Sequence, residues 1–107
     1  VILYGIPTCD TCRKALKALA DAGHTVEFRN LRAPAMTAED WAPLIAEFGP
    51  GIINRNSPTW RGLSDWMRES EPEAQLLEHP TLMKRPLIRD GGKMTLGWDA
   101  AAQAVWL

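Results

Sequence analysis

At 107 residues, with 46% apolar and 23% charged side chains, the chain has room for one hydrophobic core and little more. Twelve basic and thirteen acidic residues are interspersed and leave a net charge of −1, so no basic stripe offers itself to a phosphate backbone and direct nucleic-acid binding is not expected. No apolar run approaches the roughly 18 residues that a membrane span needs, and Val1-Ile2-Leu3-Tyr4 lacks the basic flank of a signal peptide, so a cytoplasmic protein is expected.

The chain opens on strand formers, Val1 to Tyr4, ended by Gly5 and Pro7, which predicts a buried strand. Asp10 to Ala22 predicts a helix: Ala15, Leu16, Leu19 and Ala20 share one face while Arg13, Lys14, Lys17 and Asp21 fall on others. Gly23 suits a left-handed helix end. His24 to Arg29 alternates, with Val26 and Phe28 on one side, and predicts a second strand. Strand, helix and strand make a βαβ unit, whose crossover should be right-handed.

Ala33-Pro34 breaks this pattern. Thr37, followed by Glu39 and Asp40, predicts a capped helix running to about Phe48, with Trp41, Leu44, Ile45 and Phe48 at core spacing and Gly49-Pro50-Gly51 as its stop. Ile52 to Asn54 reads as a short turn and Ser57-Pro58 as another helix start. Asp65 to Glu69 and Pro72 to Glu78 read as further helical pieces, so residues 34–79 form a helical insertion. After Pro80 the texture changes. Pro86 to Arg89, Asp90-Gly91-Gly92 and Lys93 to Leu96 predict a hairpin, and Asp99 caps a last helix through Leu107. The expected architecture is a single α/β domain, 1–107, with a four-stranded mixed sheet built from residues 1–33 and 80–107. Each of the five tryptophans, 41, 60, 66, 98 and 106, is expected to pack, with its indole N–H turned to a partner.

Two cysteines, Cys9 and Cys12, are too few for a secreted disulfide scaffold, and their C-x-x-C spacing in a reducing compartment points to redox chemistry. Cys9 falls where the first strand gives way to the first helix. Unpaired amide groups and the positive end of the helix dipole stabilise an anion there, which favours the thiolate, the nucleophilic form. Cys12 lies one turn further on the same face, placed to attack a mixed disulfide formed at Cys9. A zinc site would need two more ligands. Only His24 and His79 remain besides carboxylates, neither at a paired-ligand spacing, so no metal is expected. Two incidental buried thiols are the other reading, and the position in the first turn of a βαβ unit argues against it. Arg13 and Lys14 are near in sequence, but spacing does not say where they point. Pro86, unable to donate to a ladder, belongs at a strand start or an edge. Arg85 beside it either holds an anion or sits in solvent, and spacing does not choose.

Tyr4-Gly5-Ile6-Pro7-Thr8-Cys9-Asp10-Thr11-Cys12-Arg13-Lys14-Ala15, taken with Lys84-Arg85-Pro86-Leu87-Ile88, resembles the arsenate reductase (ArsC) family in its broad sense. That family embraces glutaredoxin-linked arsenate reductases, reductase-like proteins of unassigned substrate and the Spx transcription regulators. The likeness extends through Ile53 to Leu63 and through His79-Pro80. It implies a thioredoxin-like (glutaredoxin-like) fold with a helical insertion, Cys9 as the attacking thiolate, and Arg85 as an oxyanion ligand, a role that suits a planar, permanently charged fork. It also implies a cis Arg85–Pro86 bond facing the cysteine. Arg55 falls near the family's insertion arginine, and Thr8 and Pro86 complete the substrate-binding candidates. The family's third arginine has no counterpart: Gly91 to Trp98 contains none.

The resemblance implies no bound cofactor, glutathione as co-substrate, and a monomer that acts on a small oxyanion or a glutathione mixed disulfide, with glutaredoxin as a protein partner. Cys12 supplies a resolving thiol that the glutathione-dependent reductases do not need. Two other readings stand beside the reductase: an Spx-like regulator docking on RNA polymerase, and a glutathione-binding protein without turnover.

Overall fold

The computed structural model describes all 107 residues. Two compact units emerge: Val1–Asn30 with Arg85–Leu107, and Leu31–Lys84. The sequence texture had put these joints at 34 and 79.

The first unit is a four-stranded sheet in the order β2-β1-β3-β4, where β1 is Ile2–Gly5, β2 Glu27–Asn30, β3 Leu87–Asp90 and β4 Lys93–Leu96. β1 runs parallel to β2 and antiparallel to β3, and β3 pairs antiparallel with β4 across Gly91-Gly92. Helix α1, Asp10–Asp21, makes the crossover from β1 to β2. Gly23 ends it with φ +94°, a conformation in which a Cβ would be strained. The expected second strand from His24 is shortened. Its ladder starts at Glu27, whose N–H reaches Val1 O at 2.8 Å, because a four-residue β1 can pair only four residues.

The core of this unit joins Leu3, Ile88, Cys12, Ala15, Leu19 and Trp106, all buried. Trp106 belongs to α6 (Ala100–Trp106), which Asp99 caps by accepting from the Ala102 N–H at 2.9 Å. Its indole N–H donates to Thr95 Oγ1 at 2.8 Å, its carbonyl meets His24 Nε2 at 2.7 Å, and Lys93 lies over its ring at 4.5 Å. This tryptophan thus fastens the last helix to β4.

The second unit is helical. Thr37 closes a capping box with Asp40 at the start of α2 (Ala38–Phe48), which continues through Pro43. Ser57 and Ser64 cap the short helices α3 (Pro58–Arg61) and α4 (Asp65–Arg68). Helix α5 is Pro72–Glu78. Its Gln75 is buried and donates through Nε2 to the carbonyls of Met67, Arg68 and Ser70, closing the end of α4. The expectation for the tryptophans holds unevenly. Trp41 is fully buried with no partner for its N–H, and Trp66 is 76% exposed, because α4 is one turn long and turns its indole outward. No helix of the structure is long and apolar enough to cross a membrane.

Candidate active site

β1 ends in a tight turn in which the Cys9 N–H donates to Ile6 O at 3.1 Å, with Pro7 and Thr8 exposed at its tip. Proline presets the backbone of a turn's second position, so the chain leaves the strand and enters the helix within four residues. Cys9 is the N-cap of α1, with extended φ/ψ, and its carbonyl takes the first helical bond from Arg13 N at 3.1 Å. Its side chain makes no cap hydrogen bond of the kind a hydroxyl would make, but the Thr11 and Cys12 amides of this first turn act on its sulfur.

The result is two unlike thiols. At Cys9 partial burial pushes the pKa up, but the Cys12 amide, the Cys12 thiol, the Arg85 charge and the Thr11 amide together outweigh it, and the thiol lies below its ordinary value. Cys12 is fully buried in the core. Burial above all, then the hydrogen bond to Cys9 and the negative charge there, push its pKa up to about 11, against the opposing pull of the Ile6 amide and Arg85. Both cysteines are free. Cys9 therefore gives up its proton before Cys12 does, and the thiolate it forms accepts from the Cys12 thiol.

The cation that acts on both sulfurs is Arg85, from the far end of the sequence. Arg13, nearer in sequence, forms a surface pair with Asp10, and Lys14 is exposed. Arg85–Pro86 is cis, as is Ala33–Pro34, which the sequence did not announce. Pro86 is buried just ahead of β3, and its carbonyl accepts from Gly97 N at 2.8 Å. Thr8 stays exposed beside Cys9. Arg55 belongs to the second unit, where its guanidinium lies 5.3 Å from the Trp60 ring centroid and donates to Pro50 O at 3.4 Å. Sequence reasoning missed Gly5 and Ile6, whose backbone lies against the Cys12 sulfur. The glycine was legible only as the end of a strand.

A mixed sheet of this order, with a C-x-x-C opening the first helix and a cis-proline ahead of the third strand, defines a thioredoxin-like thiol protein. The ArsC family profile matches residues 4–104, and the chain belongs to that family. An uncharacterized protein of Haemophilus influenzae is 34% identical over 104 residues, covering 92% of this chain and 91% of that protein. The global transcriptional regulator Spx 2 of Bacillus cereus is 27% identical over 107 residues, covering 92% and 80%. Among solved structures, a YFFB protein matches with a TM-score of 0.84 at 29% identity, covering 99% of this chain and 97% of that one. An arsenate reductase (ArsC) related protein from Brucella melitensis matches with a TM-score of 0.74 at 28% identity, covering 98% and 92%.

Removing the Arg85 charge should be felt at the sulfur. Arg85→Ala is expected to move the midpoint of Cys9 alkylation to higher pH, with little loss of fold. An unmoved midpoint would remove Arg85 from the site.

Proposed function

We propose that the chain is an arsenate-reductase-like thiol oxidoreductase in which Cys9 attacks, Cys12 resolves and glutathione is the co-substrate. The observation that carries this reading is the unequal pair: a lowered, partly exposed thiol at Cys9 beside a raised, buried one at Cys12, with the Arg85 charge on both.

The Cys9 thiolate attacks the glutathionyl sulfur of a mixed disulfide, forms Cys9–S–SG and expels the other thiol as its anion, which takes a proton. Cys9 is now neutral. The hydrogen bond and the charge at Cys9 that helped to raise Cys12 are gone, so its pKa falls, with burial left as the chief cause that keeps it up. Cys12 then bonds to the Cys9 sulfur, the S–SG bond breaks, and glutathione leaves with the Cys12 proton. Two electrons have moved from the cysteine pair to the substrate, and two external thiols, from glutathione or glutaredoxin, restore the dithiol. With arsenate the same thiolate displaces one hydroxyl, which leaves as water with a proton from solvent, and a Cys9–S–As bond forms. Cys12 then attacks the Cys9 sulfur, the S–As bond breaks with its electron pair left on arsenic as arsenite, and Arg85 neutralises the oxyanion throughout. Thr8 at the turn tip and Pro86 ahead of β3 complete the proposed substrate contacts. The proposal for Arg55 rests on the family resemblance.

Iodoacetamide alkylation followed against pH tests the reading at its root. The midpoint for Cys9 is expected below that of free cysteine, and turnover of arsenate or of a glutathionylated peptide should appear with glutathione and glutaredoxin. A free-cysteine midpoint without turnover on either substrate would overturn it. The likeness to Spx 2 favours a second reading, a redox-sensing regulator that binds RNA polymerase. Retention of polymerase subunits on the immobilised chain, released when Cys9 and Cys12 are oxidised, would be its signature.

A further inference from the structure

Gly5 is buried at the end of β1, an interior strand, paired with Asn30 of β2, in ordinary strand conformation. Glycine weakens a strand, having more freedom to lose and no side chain to pack. Four of the other glycines, 23, 49, 91 and 97, have positive φ, which Gly5 does not. What distinguishes Gly5 is space: a Cβ built on it would lie 2.5 Å from Cys12 Sγ, 3.3 Å from Cys12 Cβ and 3.4 Å from Leu3 Cδ2. No other glycine of the chain has a neighbour closer than 3.5 Å to its built Cβ.

We propose that Gly5 is a positioning residue for the resolving thiol, its bare Cα being the slot that seats the Cys12 sulfur within reach of Cys9. This rests on the thiol-exchange reading above and adds a residue to it. The slot has three sides: the Gly5 Cα, the Ile6 amide directed at the sulfur, and Cys9, to which Cys12 is hydrogen-bonded. A methyl at position 5 leaves the sulfur two ways out. Cys12 can rotate about χ1, abandoning the Ile6 amide and Cys9, or α1 can lift from β1. Each carries Cys12 away from the narrow range of distance and dihedral in which a disulfide with Cys9 can close. The step affected is the second exchange, in which the Cys12–Cys9 bond forms, the Cys9–glutathionyl bond breaks, and glutathione departs with the Cys12 proton.

The test compares wild type, Gly5→Ala, Cys12→Ala and the double variant. Each Cys12-containing protein is loaded at Cys9 with oxidised glutathione, and released glutathione is followed by mass spectrometry. Gly5→Ala is expected to release it about tenfold more slowly than wild type. Its Cys9 alkylation midpoint should rise toward that of Cys12→Ala, a change that loss of packing alone would not produce. Thermal unfolding gives a readout independent of chemistry: Gly5→Ala should lower Tm in the presence of Cys12, and the double variant should unfold close to Cys12→Ala. Release at the wild-type rate with an unmoved midpoint would overturn the proposal. So would a double variant as unstable as Gly5→Ala, and this arm remains decisive where Gly5→Ala itself does not fold. A wild-type protein that never takes up glutathione at Cys9 would sink the exchange reading, while the unfolding comparison would still decide whether Gly5 seats the sulfur.

Discussion

Cys9→Ser is expected to abolish thiol-dependent turnover, whereas Cys12→Ser should complete the first exchange and stall before the second. The two sulfurs cannot stand in for one another. Cys12 is wholly buried, and with a pKa pushed up to about 11 only about one molecule in ten thousand carries its thiolate at pH 7. A serine at position 9 puts a hydroxyl where the helix amides and Arg85 stabilise an anion, and a hydroxyl does not ionise in this pH range. Cys12→Ser retains the Cys9 nucleophile but has no sulfur to displace glutathione. It should accumulate as the Cys9–glutathione adduct, read directly as added mass in intact-protein spectra. Equal residual turnover in both variants would count against the division into attacking and resolving thiols.

The parts of this molecule that were legible in the sequence are those whose cause is local. Thr37, Ser57 and Asp99 cap the helices they were expected to cap, because a cap is a contact between a side chain and amides two or three residues on. The C-x-x-C falls at the opening of α1 for the same reason: Gly5 and Pro7 close the strand, and the helix pattern begins at once. What lies across the sheet was not legible. The late start of β2 is set by the length of β1, and the reach of Arg85 to Cys9 by the pairing of β3 against β1. Spacing left Arg85 undecided between solvent and sulfur, and left Arg13 equally open; tertiary geometry assigned one to the thiols and the other to Asp10. Nothing in the predicted Pro72–Glu78 helix marked Gln75 for burial; it is buried because the last turn of α4 brings it three carbonyls to satisfy. Trp66 errs in the other direction. Its size predicts packing, and a four-residue helix gives it nothing to pack against.

The buried thiol also makes stability depend on alkaline pH, with a sign that follows from its raised pKa. A thiol that ionises near 9 in the unfolded chain and near 11 in the folded one binds its proton more tightly when folded. Below about pH 9 both states are protonated at Cys12 and the group has no pH effect. Between 9 and 11 the unfolded state sheds the proton first, so stability falls as pH rises, by about 2 kcal/mol at pH 11. Cys9 works in the opposite sense, its depressed pKa adding stability as pH rises through the folded value toward the unfolded one and nothing further above it. Urea unfolding of fully reduced protein at pH 8.5 and at pH 11, as rough brackets of that window, should therefore show a larger loss in wild type than in Cys12→Ala, where Cys9 also loses the Cys12 thiol that lowers its pKa. An equal loss in the two would mean that the Cys12 sulfur meets solvent in the folded chain, and a thiol that meets solvent there is not the buried partner that lowers the Cys9 pKa.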